Sequence, residues 1–145
     1  MELTSEHDIA APRARVFAAL ADPAEFERRL AAARVQVRRL DAGGEAWELR
    51  FRLRGAERHM HLTRSACESP ANLAFTGSSP AFAIENRIAL TEAGPDRTRM
   101  RVAFVARPQS MGARVALQGL KLARGRLQRR FDAAVARLAA ELAAG

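Results

Sequence analysis

Two histidines separated by one residue, His59 and His61 in "ERHMHLTRSACE", have the type and spacing that suit a metal ion. In an extended strand, residues two apart project from the same face, so both imidazoles would reach one ion. A third ligand would have to come from Glu57, from Cys67 on the same alternation, or from distant His7, and no spacing selects among them. The ordinary alternative is two hydrogen-bonded or solvent-facing strand histidines. That is the expectation, and neither a metal nor another cofactor is assigned.

Nucleophilic and nucleotide chemistry has less to stand on. The chain contains no Gly-x-Ser-x-Gly, no P-loop and no dinucleotide fingerprint, and Gly43-Gly44 reads as a hairpin turn. Cys67 lies near a strand end and is expected to pack rather than react. As the only cysteine it excludes an internal disulfide, which fits a reducing compartment. The start, "MELTSEHD", is acidic and polar, unlike a secretory signal, and no apolar run is long enough to span a bilayer. The expected location is the cytoplasm.

Two polar residues are notable for where they fall. Asn86 interrupts Phe82, Ile84, Ile88 and Leu90, and His7 interrupts Leu3 and Ile9. A buried amide needs a hydrogen-bond partner, whether protein, water or ligand.

The elements that position these residues follow from hydropathy periods. Residues 2–9 alternate, with Leu3, Ser5, His7 and Ile9 on one face. Pro12 suits the first turn of a helix whose apolar side is Val16, Phe17 and Leu20. Asp22 as cap, Pro23 in the first helical position and Glu25 then start a second helix, with Phe26 and Leu30 as its stripe. From Arg34 to Arg107 the period is two, cut into six strands at Ala42-Gly43-Gly44, Gly55, Ser69-Pro70, Pro80 and Gly94-Pro95-Asp96. Short connections between alternating strands predict an antiparallel meander with one apolar face. From about Ser110, apolar residues recur at threes and fours through Leu120, Leu127, Phe131, Val135, Leu138 and Leu142. About thirty helical residues would span about 45 Å. Gly112, Gly119 and Gly125 weaken the first half of this helix.

The layout is an α+β fold: a curved seven-stranded antiparallel sheet around a long C-terminal helix, with two short helices after the first strand. At 145 residues the chain is expected to form one domain, 1–145. The helix must cover the apolar face, but sheet curvature keeps it from filling the concavity. A cavity remains, and the two short helices close one end of it.

This layout, and "HDIAAPRARVFAALADPAEF" in particular, resembles the SRPBCC superfamily, the START-like helix-grip fold that includes polyketide cyclases and lipid-transfer domains. The resemblance spans the whole chain. Its most specific part is the strand, Ala-Pro, Val-Phe, Leu, Asp-Pro sequence of Ile9–Pro23. Within the superfamily, "MELTSEHDIAAP" and the Arg-rich terminal helix are most similar to the carbon-monoxide-dehydrogenase subunit type. That type usually has an Ile-Pro-Gly-like turn where this chain reads "LAAARV". The resemblance implies a cavity for a small apolar or amphipathic molecule, sometimes elaborated into an enzyme. No motif here matches a catalytic residue.

The candidate lining comes from the apolar alternation: Trp47, Leu49 and Phe51 on one strand, Phe75 on another, then Phe82, Ile84, Asn86 and Ile88. Met100, Val102 and Phe104 follow on the last strand, and Leu120, Leu127 and Phe131 on the helix. Together they line one concave face opposite one helix, the geometry of a ligand pocket. The expected function is binding, or transport, of a small apolar or amphipathic ligand. Two alternatives stand beside it. One is a metal-free cyclase or dehydratase-like enzyme using His7 or Asn86; the other is a protein recruited to a membrane or an oxidoreductase by its basic helix.

The second alternative comes from charge. The net charge is +8 and the pI near 11.4, with Lys121 the only lysine. Arg50, Arg52, Arg54, Arg99, Arg101 and Arg107 fall on the convex face, where Glu48 and Glu85 can pair with some of them, and Arg124–Arg130 form a second cluster. No aromatic stacking platform lies among these arginines, so nucleic acid is not an expected partner. Peripheral contact with an anionic membrane or a protein fits better, as monomer or homodimer.

Overall fold

The computed structural model describes all 145 residues, Met1–Gly145. Strand β1 (Glu2–Ile9) is followed by helices α1 (Arg13–Ala21) and α2 (Pro23–Ala32). Six strands come next: β2 (Gln36–Arg39), β3 (Ala46–Leu53), β4 (Ala56–Glu68), β5 (Asn72–Ser78), β6 (Phe82–Gly94) and β7 (Arg97–Pro108). Helices α3 (Met111–Leu122) and α4 (Arg124–Ala144) end the chain. The strands form one seven-stranded sheet in the order β1-β7-β6-β5-β4-β3-β2, antiparallel throughout.

Register divides the sheet into two ends. At one end lie Ile9 opposite Thr98, the β2–β3 and β4–β5 turns, and the α1–α2 pair that follows β1. At the other lie Phe82 opposite Pro108, Leu53 opposite Ala56, and the entry to α3. Val16, Phe17 and Leu20 of α1 are buried with Ile9, Leu90 and Met100, so the first end holds the core. Thr98 donates its hydroxyl to the Ala11 carbonyl at 2.7 Å and locks the β1–α1 corner there.

The single long C-terminal helix read from the sequence is two helices. The break falls at Ala123 (φ −101°, ψ 17°), just before Gly125. Glycines at 112, 119 and 125 lower helix stability across this stretch. Ser110 caps α3 by accepting from the Ala113 N–H at 3.0 Å. Only α4 then packs along β1, burying Val135, Ala139 and Leu142. Leu120, Leu127 and Phe131 are half-buried.

One β-bulge, between Arg64 and Ala66, changes the face assignments on β4. Simple alternation places Cys67 with His59 and His61. The bulge instead pairs Cys67 with buried Leu73, on the opposite face. His59 and His61 stand exposed on the convex side, so Cys67 is no third ligand for them. Packing is the expectation for Cys67 from its place in the sequence, but its side chain is exposed.

Candidate ligand-binding site

The closed end is built around Phe26. Asp22 accepts from the Ala24 N–H at 3.0 Å, a cap worth about 1 kcal/mol, and so sets the start of α2. Phe26 then stacks on Phe75 (4.8 Å, 11°) and tilts against Trp47 (4.8 Å, 55°). Trp47 donates Nε1–H to Glu27 at 2.9 Å, and Arg39 donates to both oxygens of the same carboxylate at 2.7 and 2.8 Å. The Arg39 hydrogen bonds hold Glu27 below its ordinary pKa; partial burial opposes this, and the Trp47 bond adds to it. Gly44 sits at φ +70°, and a Cβ there would stand 2.5 Å from Pro23, so the β2–β3 turn packs closely under α2.

Arg64 completes this end. Its Nη1 donates to the Ala21 carbonyl at the end of α1, at 2.8 Å, and its Nη2 lies 3.6 Å from Glu45. The sequence reading missed it. Its parity with Met60 and Leu62 already placed Arg64 on the inner face.

Accessibility changes along the concave face. On β6, Leu90 and Ile88 are buried while Asn86, Ile84 and Phe82 are half-buried. On β7, Met100 and Val102 are buried while Phe104 and Ala106 are half-buried. Trp47, Leu49 and Phe75 belong to the buried core, whereas Phe51 near the far end of β3 is half-buried. The fourteen candidate residues thus separate into a packed group toward α1–α2 and an accessible group toward α3. The accessible group is Phe51, Phe82, Ile84, Asn86 and Phe104 on the sheet, with Leu120, Leu127 and Phe131 on the helices. Phe104 and Phe131 face each other across it at 6.4 Å.

Gly77 makes room in this group. A Cβ there would lie 2.7 Å from both Met60 Sδ and Ile84 Cγ1, so those side chains occupy its place.

Asn86 is the polar exception. β6 pairs without interruption through it, opposite Phe104 on β7 and Phe75 on β5. Its Oδ1 is buried and accepts no hydrogen bond. An unpartnered buried amide oxygen costs about 1–3 kcal/mol. A donor on a bound molecule would recover that cost.

His7 lies elsewhere. Ser5 Oγ is 3.1 Å from His7 Nε2, in a cleft of about 470 Å³ between β1 and α4 that Gln128 and Asp132 also line. Another depression, about 960 Å³, lies between α2 and β2 and contains Glu27 and Arg39. The carboxylates with lowered pKa owe it to surface partners. Arg99 holds Asp8, Arg28 holds Glu25, Arg39 holds Glu27, and backbone N–H groups led by that of Glu45 hold Asp41. On the convex face, Glu85 pairs with Arg87, and Arg50 pairs with Glu57 at 3.0 Å. No helix is long and apolar enough to cross a membrane.

Comparison with known proteins follows the same outline. The family described as polyketide cyclase/dehydrase and lipid transport matches residues 1–143. Among solved structures, the chain is similar to the ZhuI aromatase/cyclase from Streptomyces sp. R1128, with TM-score 0.71 and 15% identity over 98% of this chain and 93% of that one. It is also similar to a START superfamily protein from Mycobacterium smegmatis, with TM-score 0.60 and 14% identity over 89% and 95%. A norcoclaurine synthase from Thalictrum flavum, in complex with dopamine and hydroxybenzaldehyde, gives TM-score 0.67 and 11% identity over 98% and 85%. At these identities the likeness shows the fold alone. No curated protein matches the sequence.

Proposed function

The chain belongs to the polyketide cyclase/dehydrase and lipid transport family, and from that premise we propose that it binds one small amphipathic ligand between the α3 end of its sheet and its C-terminal helices. The observation that carries this reading is Asn86. Its buried, unpartnered Oδ1 is flanked on neighbouring strands by Phe75 and Phe104, in the accessible part of an apolar face. Such a site suits a ligand with an apolar body and a hydroxyl, because a hydroxyl donates to the amide oxygen and accepts from the amide nitrogen.

Binding or transport stands ahead of catalysis in this reading. Acid–base chemistry needs a tuned titratable group beside the ligand. The carboxylates tuned here are held at surface ion pairs and a turn, away from Asn86.

Asn86→Leu tests the reading. The empty protein is expected to melt at the same or a higher temperature, because an unpaired amide oxygen leaves the interior. Binding of 1-naphthol should weaken about fivefold, the equivalent of one net hydrogen bond, while naphthalene binds as well or better. A large fall in melting temperature with both affinities unchanged would make Asn86 a structural residue and move the polar contact elsewhere.

A further inference from the structure

Helix α3 is apolar on two sides, and the fold uses one of them. Ala113 and Leu117 are buried, whereas Met111, Val115 and Leu122 are 74%, 66% and 93% exposed. Steps of four and seven place these three on one stripe. Gly112 and Gly119 run beside it with open space where a Cβ would stand. The helix is tied at both ends to the open end of the sheet: Gln109 donates its side-chain amide to the Ser79 carbonyl at 2.8 Å, and Arg124 donates to the Glu2 carbonyl at 3.0 Å. Leu53, 54% exposed, stands at the β3–β4 turn of that same end, with exposed Arg52, Arg54 and Arg58 around it.

Charge separates this region from the rest of the surface. Between Asp96 and Asp132 the chain carries no carboxylate. Arg114, Lys121, Arg126, Arg129 and Arg130 are exposed and form no ion pair. Elsewhere, Arg28, Arg39, Arg50, Arg87 and Arg99 each have an acidic partner. An apolar stripe flanked by unpaired cations calls for a partner with an anionic surface and an apolar phase behind it. A second copy of this face would set like charge against like charge, and nucleic acid offers nothing for Met111, Val115 and Leu122 to enter.

We infer that α3 and the β3–β4 turn dock the protein on an anionic lipid bilayer, with the stripe entering the interface and the cations reaching lipid headgroups. The docked end is the one where the concave face becomes accessible. A ligand could therefore pass between bilayer and protein without crossing water. Docking itself does not depend on what the concave face holds, and the naphthol experiment and the vesicle experiment can fail separately.

The test is co-sedimentation of the full chain with phosphatidylcholine vesicles, with or without about one-third phosphatidylserine, at low and high salt. The unaltered protein is expected on the anionic vesicles only, and less of it at high salt. Arg126→Ala with Arg129→Ala should weaken low-salt binding by roughly fivefold per cation. The Met111→Ser, Val115→Ser, Leu122→Ser combination should weaken it about tenfold or more without changing net charge. Leu122→Ser alone, at the most exposed site, should give a smaller loss with an unchanged melting temperature. No binding of the unaltered chain to anionic vesicles would overturn the inference, as would undiminished binding of the triple serine variant. Self-association that the triple variant abolishes, without vesicle binding, would assign the stripe to a second copy and equally overturn it.

Discussion

Glu27 ties α2 to the sheet through one carboxylate, which accepts from Arg39 twice and from Trp47 once. Its folded pKa is lowered, so its contribution is present above the unfolded value and is lost as pH falls through the folded one. Glu27→Gln should therefore cost about 1–2 kcal/mol at pH 7, read as a melting temperature a few degrees lower. The difference from the unaltered protein should disappear by about pH 3, where the carboxylate is protonated in both states. An equal difference at both pH values would mean that shape, not charge, holds the contact. Residues such as Asn86 were legible in the sequence because a period-two strand fixes faces by parity, and β6 keeps its register through that stretch. Cys67 was not. The bulge between Arg64 and Ala66 has no glycine or proline to announce it, yet it reverses the parity of the rest of β4.

Among elements, the pair after β1 was the most legible, because each helix carries its own start signal. Asp22 and Pro23 separate α1 from α2, and that separation lets Phe26 turn onto Trp47 and Phe75. Phe26→Ala should remove both ring contacts and leave a void over the closed end. The expected loss is about 2–4 kcal/mol, a fall in melting temperature of about 5 °C or more. An unchanged melting temperature would show that α2 is not part of the core. The C-terminal helix was legible in extent but not in continuity. Three glycines spread over fourteen residues, Gly112 to Gly125, weaken the whole stretch without marking where it yields. Packing decides it: α4 has β1 and α1 to lie against, while α3 has little beyond the end of β7.

Over the whole molecule, apolar side chains grow more accessible from the α1–α2 end toward α3, and unpaired cations concentrate at that same end. The sequence carried the two halves of this picture separately, as an aromatic face and an excess of arginine. It could not join them, because which residues share an end of the sheet depends on strand register and on where the last helix breaks. The joined picture makes the protein a one-ended container for a single amphipathic molecule. Native mass spectrometry of the full chain after incubation with a mixed pool of long-chain and aromatic alcohols tests this most directly. One adduct per chain is expected. It should be absent from Ala106→Trp, which fills the accessible row beside Ile84, provided circular dichroism shows that variant folded. A folded, unaltered chain that takes up nothing from the pool, or an Ala106→Trp chain that keeps the adduct, would contradict the account.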